Sequence, residues 1–427
     1  MELAVGIVSL EKLAFSFRTP YTFGGKTFSG PSTACVRDGK IFFDGVLYDE
    51  VIFRRLGEGG SFELGEVTIG VDFHWNRRET QIFPGDLKLI VDSGRITAIN
   101  LVDIEDYLVS VISSEMSATC SLNLLKAHCI ISRSWVISQI LRRAGAKDAE
   151  GSASAQEADD DSRMIKWYDR QDHVKFDVCA DDHCQRYYGL SRATTPTVRK
   201  AVEETRGLVL KYEGEICDAR FSKCCGGVME EFGTCWEQKD YGYLQKRRDT
   251  PAENDFPDLT VEENAREWIL SSPESFCNNT DPQILSQVMN GFDRETENFY
   301  RWTVEYDAGE LSALVRERSG EDYGEILDLV PVARGASGRL CELKIVGSKK
   351  TKNIGKELEI RRTLSKSHLY SSAFVVEKKD GKLILHGAGW GHGVGLCQIG
   401  AAVMGEKGYD FKSILAHYYP GSTIEKY

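Results

Sequence analysis

The stretch "VISSEMSATCSLNLLKAHCIISRSW", residues 111–135, decides how this chain is read. Most of it is apolar or small, as suits a buried segment, yet it carries Glu115, Lys126, His128 and Arg133. One carboxylate and three potential cations in a core segment need a reason, because an unpaired buried charge is costly. Just upstream, Ile104, Tyr107, Leu108, Val111 and Ile112 recur at helical spacing. Glu115 continues that stripe, so it is expected on the core-facing side of a first helix, near its C-terminal end. A second helix is expected over about residues 122–143; it is apolar almost all round and so largely buried. Lys126 and Arg133 share one of its faces. Two readings of the three charges stand at this point. One is an ion-pair network that only fixes packing. The other is a carboxyl group poised between an apolar setting and nearby cations, ready to exchange a proton.

Outward from this helix pair, residues 1–100 read as a β-rich N-terminal domain. "KIFFDGVLY", "EVIFRRL", "EVTIGVDFHW" and "DLKLIV" are short apolar runs separated by Gly and Asp turn signals. Residues 101–427 read as one mixed domain built around the helix pair, making the fold class α+β. Within it, residues 145–170 are polar, small and acidic, and are expected to form a flexible loop. A variable insertion covers about 240–330, with helical pieces around "LTVEENAREWILSS" and "ENFYRWTVEYDAGELSALVRER". Strands return in "RLCELKIV" and "AFVVEKKDGKLILHG", and a helix is expected from about residue 396.

The 427 residues suffice for a sizeable core. The formal net charge of −12 argues against a nucleic-acid partner, which calls for a basic surface. No apolar run approaches ~18 residues, so no membrane span is expected. "MELAVGIVSLEKLAFSF" has an acid at position 2 and no basic start, so it does not read as a signal peptide. Two expectations follow: a cytoplasmic protein, or a periplasmic or cell-envelope one whose leader lies outside this chain. The twelve cysteines do not decide the redox compartment, since several lie in apolar runs where a thiol packs as a small hydrophobe.

Three further stretches could carry chemistry. "HVKFDVCADDHCQRYYG" brings His173, Cys179, His183 and Cys184 close together, and two His with two Cys make a closed tetrahedral zinc set. A disulfide or free thiols remain the alternative. "ARFSKCCGGVMEEFGTCW" (219–236) places a tight turn at Gly226 and Gly227. It offers Ser222 as a possible nucleophile without a G-x-S-x-G elbow, so a plain hairpin is the simpler reading. "HGAGWGHGVGLCQIGA" (386–401) is glycine-rich, which permits close backbone approach, and lacks the Lys-Ser/Thr of a phosphate loop. Trp390 could stack on a sugar face, and His392 stands between two glycines.

In this order, these stretches resemble the SpoIID/LytB family: stage II sporulation protein D and the amidase enhancers. The likeness lies in "YLVSVISSEMSATCSLNLLKAHCIISRSWVI", "DVCADDHCQRYYG", "SKCCGG", "GAGWGHGVGLCQIGA" and "ILAHYYPGSTI", and runs over roughly residues 103–427 with 240–330 poorly covered. The resemblance implies a lytic transglycosylase acting on peptidoglycan glycan strands, in the sporulation members strands already stripped of stem peptides. It puts the catalytic Glu at Glu115, its nearby cations at Lys126 and Arg133, and a structural zinc on His173, Cys179, His183 and Cys184. Gln185, Ser222, Trp390, His392 and Gln398 are the candidates for substrate contact. They are expected to line a crevice between the Glu115 helices and the glycine-rich turn. A cell-wall amidase is an implied partner. Two departures stand out: Ser117 replaces the usual Pro after Glu-Met, and Phe221 stands where many members have Tyr. The competing readings are a non-catalytic, glycan-binding enhancer of an amidase, and a metal-dependent hydrolase. A Cys2His2 set leaves no open zinc position for the latter.

Overall fold

The computed structural model describes residues 1–70, 76–146, 156–168, 173–193, 195–251, 255–288 and 298–427. The chain divides into two compact units, one of residues 1–142 and 170–208, the other of 143–169 and 209–427. The fold class is mixed α+β with a β-rich start, as expected.

The first unit opens with ten strands: β1 (Glu2–Leu10), β2 (Lys12–Phe23), β3 (Lys26–Arg37), β4 (Lys40–Phe43), β5 (Val46–Tyr48), β6 (Glu50–Arg55), β7 (Ser61–Ile69), β8 (Arg77–Pro84), β9 (Asp86–Asp92) and β10 (Arg95–Asp103). Their order across the sheet is β1-β10-β9-β6-β2-β3-β4-β5, with β7 on β2 and β8 on β7. Period-two alternation drives one face inward: in β2, Leu13, Phe15, Phe17 and Tyr21 are buried. Phe17 stacks on Tyr21 at 4.5 Å, and Phe43 meets Phe53 edge-on at 5.1 Å. The β4–β5 turn carries Asp44 and Gly45 at positive φ, the geometry of a two-residue hairpin.

Helix α1 (Ile104–Glu115) follows β10 without a linker; Asp103 caps it by accepting the Glu105 N–H at 3.0 Å. Helix α2 (Leu122–Ala146) begins after a short turn, and α3 (Pro196–Glu204) packs on α1. The strand Val178–Cys179 adds to β1 in parallel, and Ile104 N–H donates to Met1 O at 2.9 Å. The expected boundary near residue 100 is therefore not where the chain divides. The β-rich segment and the helix pair share one unit, because β1 pairs with β10 and the helices grow out of β10.

The two helices are joined by a buried ion pair. Arg133, 1% exposed at its side chain, donates from Nε to Glu105 Oε1 at 3.2 Å and from Nη2 to Oε2 at 2.6 Å. Its Nη1 reaches Leu208 O at 2.9 Å, and Gly207 N–H adds a bond to Glu105 Oε1 at 3.2 Å. A forked guanidinium–carboxylate contact this dry fixes the angle and register of α1 on α2.

In the second unit, a five-stranded sheet runs Gln156–Asp159, Arg163–Lys166, Thr351–Gly355, Leu340–Gly347, Ile326–Arg334. Two of these strands fall in the stretch expected to be a loop. That reading is corrected: Arg163–Lys166 pairs in parallel with Thr351–Gly355, which binds the segment into the sheet. Residues 147–155 and 169–170 of the same stretch lie outside the described residues. A three-stranded sheet of Arg301–Asp307, Lys382–Ala388 and Phe374–Lys379 packs with the helix Ala308–Ser319 around Trp302, Leu311, Leu343, Leu369 and Phe374. The segment 297–318, expected to be helical, is thus strand then helix, with Trp302 and Tyr306 facing the core. Among the described residues no helix is long and apolar enough to cross a membrane.

Replacing Glu105 by Gln leaves the Arg133 guanidinium buried against a neutral partner. The variant is expected to lose about 3–5 kcal/mol of stability in urea unfolding, and Glu105→Leu/Arg133→Met to recover most of it. A loss below about 1 kcal/mol, the range of a surface pair, would contradict the constraint.

Candidate active site

Glu115 is the last residue of α1, and the chain turns extended at Met116. Its side chain is largely enclosed, with 9% of the residue exposed. The segment 184–188 clamps this helix end. Arg186 N–H donates to Glu115 Oε1 at 2.9 Å, and Tyr188 N–H donates to Ser114 Oγ at 3.2 Å. Two opposing influences meet at the carboxylate: the negative end of a helix disfavours an anion, and the Arg186 N–H favours one.

The other charges of the quoted stretch have partners of their own. Lys126 forms its ion pair with Glu204 of α3, which holds the Glu204 carboxyl below its usual range. Arg133 belongs to Glu105, and buried His128 shares a hydrogen bond with Ser132 Oγ at 3.2 Å. Both cations expected beside Glu115 are therefore paired with other carboxylates and act on the packing of α1, α2 and α3. Gln185, expected to touch substrate, is fully buried: Tyr107 OH donates to its Oε1 at 3.1 Å, and its Nε2 reaches Ser132 O at 3.5 Å. It bridges the two helices and faces no solvent.

His173, Cys179, His183 and Cys184 come together as the sequence suggests, their ligand atoms all within 4.8 Å of one another. His173 Nε2 lies 3.1 Å from His183 Nδ1, which is 3.5 Å from Cys184 Sγ and 4.0 Å from Cys179 Sγ. Bonds of ~2.0 Å to nitrogen and ~2.3 Å to sulfur give a tetrahedron with edges of about 3.3–3.8 Å, so the four residues fit one zinc ion. Without metal, sharing with Cys184 and then burial push the Cys179 thiol up to about 11, so metal binding must displace its proton. Cys184 is the first residue of the clamp on Glu115. Tyr187 of that clamp is held by Ala180 O through its N–H at 2.9 Å and by Asn100 Oδ1 through its hydroxyl at 2.6 Å. A metal on Cys184 would therefore steady the backbone that holds Glu115.

The remaining candidates lie in the second unit, which is described by itself. The glycine-rich stretch folds against the "SKCCGG" turn backbone to backbone. Cys224 N–H donates to Trp390 O at 3.0 Å, Trp390 N–H to Cys224 O at 2.8 Å, and Glu230 N–H to Gly393 O at 2.9 Å. A Cβ on Gly389 would meet Cys224 O at 2.7 Å, so only glycine fits there. Two residues missed in the sequence hold this junction. Arg339 is fully buried and donates to Gly391 O (3.0 Å), Cys225 O (3.0 Å), Cys224 O (3.3 Å) and Ser337 Oγ (2.8 Å). Glu230, also fully buried, accepts from Ala336 N (2.9 Å), Ser337 N (3.0 Å) and Ser337 Oγ (2.6 Å); desolvation raises its pKa. The signal that could have found them was a charged residue close behind a glycine, in "GGVME" and "GASGR".

Around that junction, Ser222 is buried on the strand Phe221–Ser222, and its Oγ has no hydrogen-bond partner among the described residues. Trp390 stacks on Phe299 at 4.8 Å and meets Tyr370 edge-on at 4.9 Å, so one face expected to take a sugar is already covered. His392 accepts the Val394 N–H at Nδ1 (3.0 Å) and packs against Trp236. Desolvation first, then Arg220 and Arg339, hold it well below the usual histidine range, so it is neutral. Gln398 is 2% exposed in the first turn of the helix Gln398–Glu406, which removes it from any open surface.

Comparison with known proteins places these features. Residues 92–212, which include the Glu115 helices and the His/Cys group, match the stage II sporulation protein (SpoIID) family model; residues 230–395 match a domain of unknown function (DUF8618). An amidase enhancer of Bacillus subtilis is 28% identical over 245 residues, 53% of this chain and 32% of that protein, so the chain spans about a third of that relative's length. Stage II sporulation protein D of Bacillus amyloliquefaciens is 23% identical over 76% of this chain and 75% of its own. An uncharacterised protein of Brachyspira hyodysenteriae is 24% identical over 80% of this chain and 72% of its own. The chain is thus similar to the SpoIID/LytB family, most directly over residues 92–212.

Proposed function

We propose that this protein is a peptidoglycan lytic transglycosylase that cleaves the MurNAc–GlcNAc bond with Glu115 as its single acid/base. The observation that carries the reading is Glu115 itself: an enclosed carboxylate at a helix end, held in place by the Arg186 N–H within the SpoIID-matched segment. Glu115 first gives its proton to the glycosidic oxygen as the bond to MurNAc C1 breaks. It then takes the proton of the MurNAc C6 hydroxyl, whose oxygen bonds to C1 and closes a 1,6-anhydro ring. No water enters, so the second carboxylate of a glycosidase pair is not required. Arg133 and Lys126 act at a distance, by fixing the helices that carry and flank Glu115. A zinc on His173, Cys179, His183 and Cys184 would be structural, since four protein ligands leave no open position. The compartment on this reading is the cell envelope, where the substrate is.

A second reading has one observation in its favour, the name of the amidase enhancer among the relatives. There the protein binds glycan and stimulates a cell-wall amidase without cutting. Incubating purified protein with glycan in the absence of any amidase separates the two.

Glu115→Gln is expected to fold normally and to lose about 10²–10⁴ in turnover. Near-normal cleavage by the folded variant would refute the mechanism. Products analysed by mass spectrometry should end in 1,6-anhydro-MurNAc; reducing ends would refute the reaction type. Offered intact sacculi and amidase-treated strands side by side, the enzyme should act mainly on the stripped strands, because stem peptides add bulk and negative charge against a protein of net charge −12. Equal cleavage of both would refute that preference. His183→Ala should remove one zinc per chain and lower the melting temperature by about 5–10 °C, as loss of a ligand bound far above its Kd does in a unit of this size. It should also slow turnover, through the clamp on Glu115. An unchanged zinc content would refute the ligand set.

A further inference from the structure

A second cluster of metal-ligating side chains lies within the second unit, beside the glycine junction. Cys225, Asp249, Cys277 and Cys397 are all buried, and one ligand atom of each lies within 4.8 Å of all the others. They come from four separate places in the chain. Cys225 opens the glycine turn after Phe221–Ser222, and Asp249 follows the strand Arg247–Arg248. Cys277 sits in the loop between the helices Glu262–Leu270 and Pro282–Val288, and Cys397 ends the strand Leu396–Cys397. We propose that these four residues bind a single zinc ion, tetrahedrally, as a structural site distinct from the His/Cys group of the first unit.

The geometry argues for an ion over a disulfide. Cys225 Sγ and Cys277 Sγ are 3.5 Å apart, close to the edge of a zinc tetrahedron, which is about 3.8 Å between two thiolates. Any single disulfide among the three cysteines would leave the third thiol unused beside a fully buried Asp249, whose one nearby basic group among the described residues is His417. The surrounding donors suit anionic ligands. Cys225 N–H points to Cys397 Sγ at 3.3 Å. Cys277 N–H donates to Asp249 Oδ2 at 2.9 Å, Ser275 Oγ to the same oxygen at 3.3 Å, and Tyr418 OH to Oδ1 at 2.8 Å. His417 Nε2 lies 3.6 Å from Oδ1. Such outer contacts orient the ligands of a metal and spread their charge. Three thiolates select a soft ion over magnesium or calcium. The crowding of the sulfurs suits one ion and not a multi-iron cluster, whose ligands are shared out over two or more irons. Binding releases the thiol protons to solvent, and four protein ligands leave no place for a water.

Cys224 also interacts with Cys277 and Cys397, and stands as the neighbour of the set. The strand Leu396–Cys397 pairs in parallel with Phe221–Ser222, so an ion on Cys397 and Cys225 would pin the strand that carries Ser222 and the turn beside the glycine-rich stretch.

The test is metal content by elemental analysis of protein purified under reducing conditions without chelator. Wild type is expected to hold two zinc ions per chain, and both His173→Ala/Cys184→Ser and Cys277→Ser one each. Cys224→Ser should keep two. If Cys277→Ser fails to fold, His173→Ala/Cys184→Ser refolded with cobalt(II) in place of zinc gives the answer: tetrahedral d–d bands and strong thiolate-to-cobalt charge transfer are expected. One zinc in the wild type that is lost with His173→Ala/Cys184→Ser would overturn the proposal. So would a disulfide among Cys225, Cys277 and Cys397 after thiol trapping and mass spectrometry. Loss of a zinc in Cys224→Ser would overturn the ligand set. These readouts do not depend on glycan cleavage, so they stand or fall apart from the enzymatic reading.

Discussion

The contact on which the first unit depends is the forked pair of Arg133 and Glu105. Glu105 lies in the opening turn of α1 and Glu115 is its last residue, so whatever sets the direction of α1 also sets where the Glu115 carboxylate ends up. An apolar interface alone tolerates small slips of one helix along another. Two parallel hydrogen bonds between rigid planar groups do not, and breaking them strands a charge away from water. The other end of α1 is fixed independently by backbone N–H groups of Arg186 and Tyr188. The proposed role of Glu115 as acid/base calls for holding within a fraction of an ångström of its target, and one short helix is held here at both ends.

The second unit solves a related problem with backbone in place of side chains. Two turns press together closely enough that Gly389 and Gly393 have no room for a Cβ: one faces Cys224 O, the other the Arg339 guanidinium at 2.5 Å. Arg339 then serves three carbonyls that this packing would leave without donors. Its charge is balanced by buried Glu230, which reaches it through Ser337. Glycine content and a buried arginine are thus two sides of one arrangement, each needed because of the other.

How much of this the sequence displayed depends on the range of the interaction. The α1 stripe and the position of Glu115 on it were legible, since both follow from local periodicity. The Gly and Asp turns between the N-terminal strands, Asp44-Gly45 among them, were legible from local sequence, as was the His/Cys group, whose members lie within twelve residues of one another. The partners of the cations were not. Glu105 and Glu204 lie outside the stretch that holds Arg133 and Lys126, and spacing along a helix says which face a charge is on, not what it meets there. Gln185, Gln398 and Trp390 read as surface groups because polar or amphipathic residues usually are; tertiary packing buried the two amides and covered one face of the indole. Cys225, Asp249, Cys277 and Cys397 have no common spacing at all, and only the fold brings them together. The boundary near residue 100 marked a change of periodicity, which is a property of local structure and carries no information on which elements pack together.

The connectivity of the two units has a consequence for biosynthesis. The chain leaves the first unit after α2, lays down the strands Gln156–Asp159 and Arg163–Lys166, and returns to complete the first unit by residue 208. During synthesis the first unit can close early, whereas that early hairpin must wait for Thr351–Gly355 to emerge before it gains a neighbour. An unpaired strand edge held open through much of translation is a site for wrong pairing. The acidic pair in the hairpin's turn, Asp160 and Asp161, adds like-charge repulsion against a second nascent copy. What reads in the sequence as a flexible loop thus carries a gatekeeper for a strand edge that pairs late.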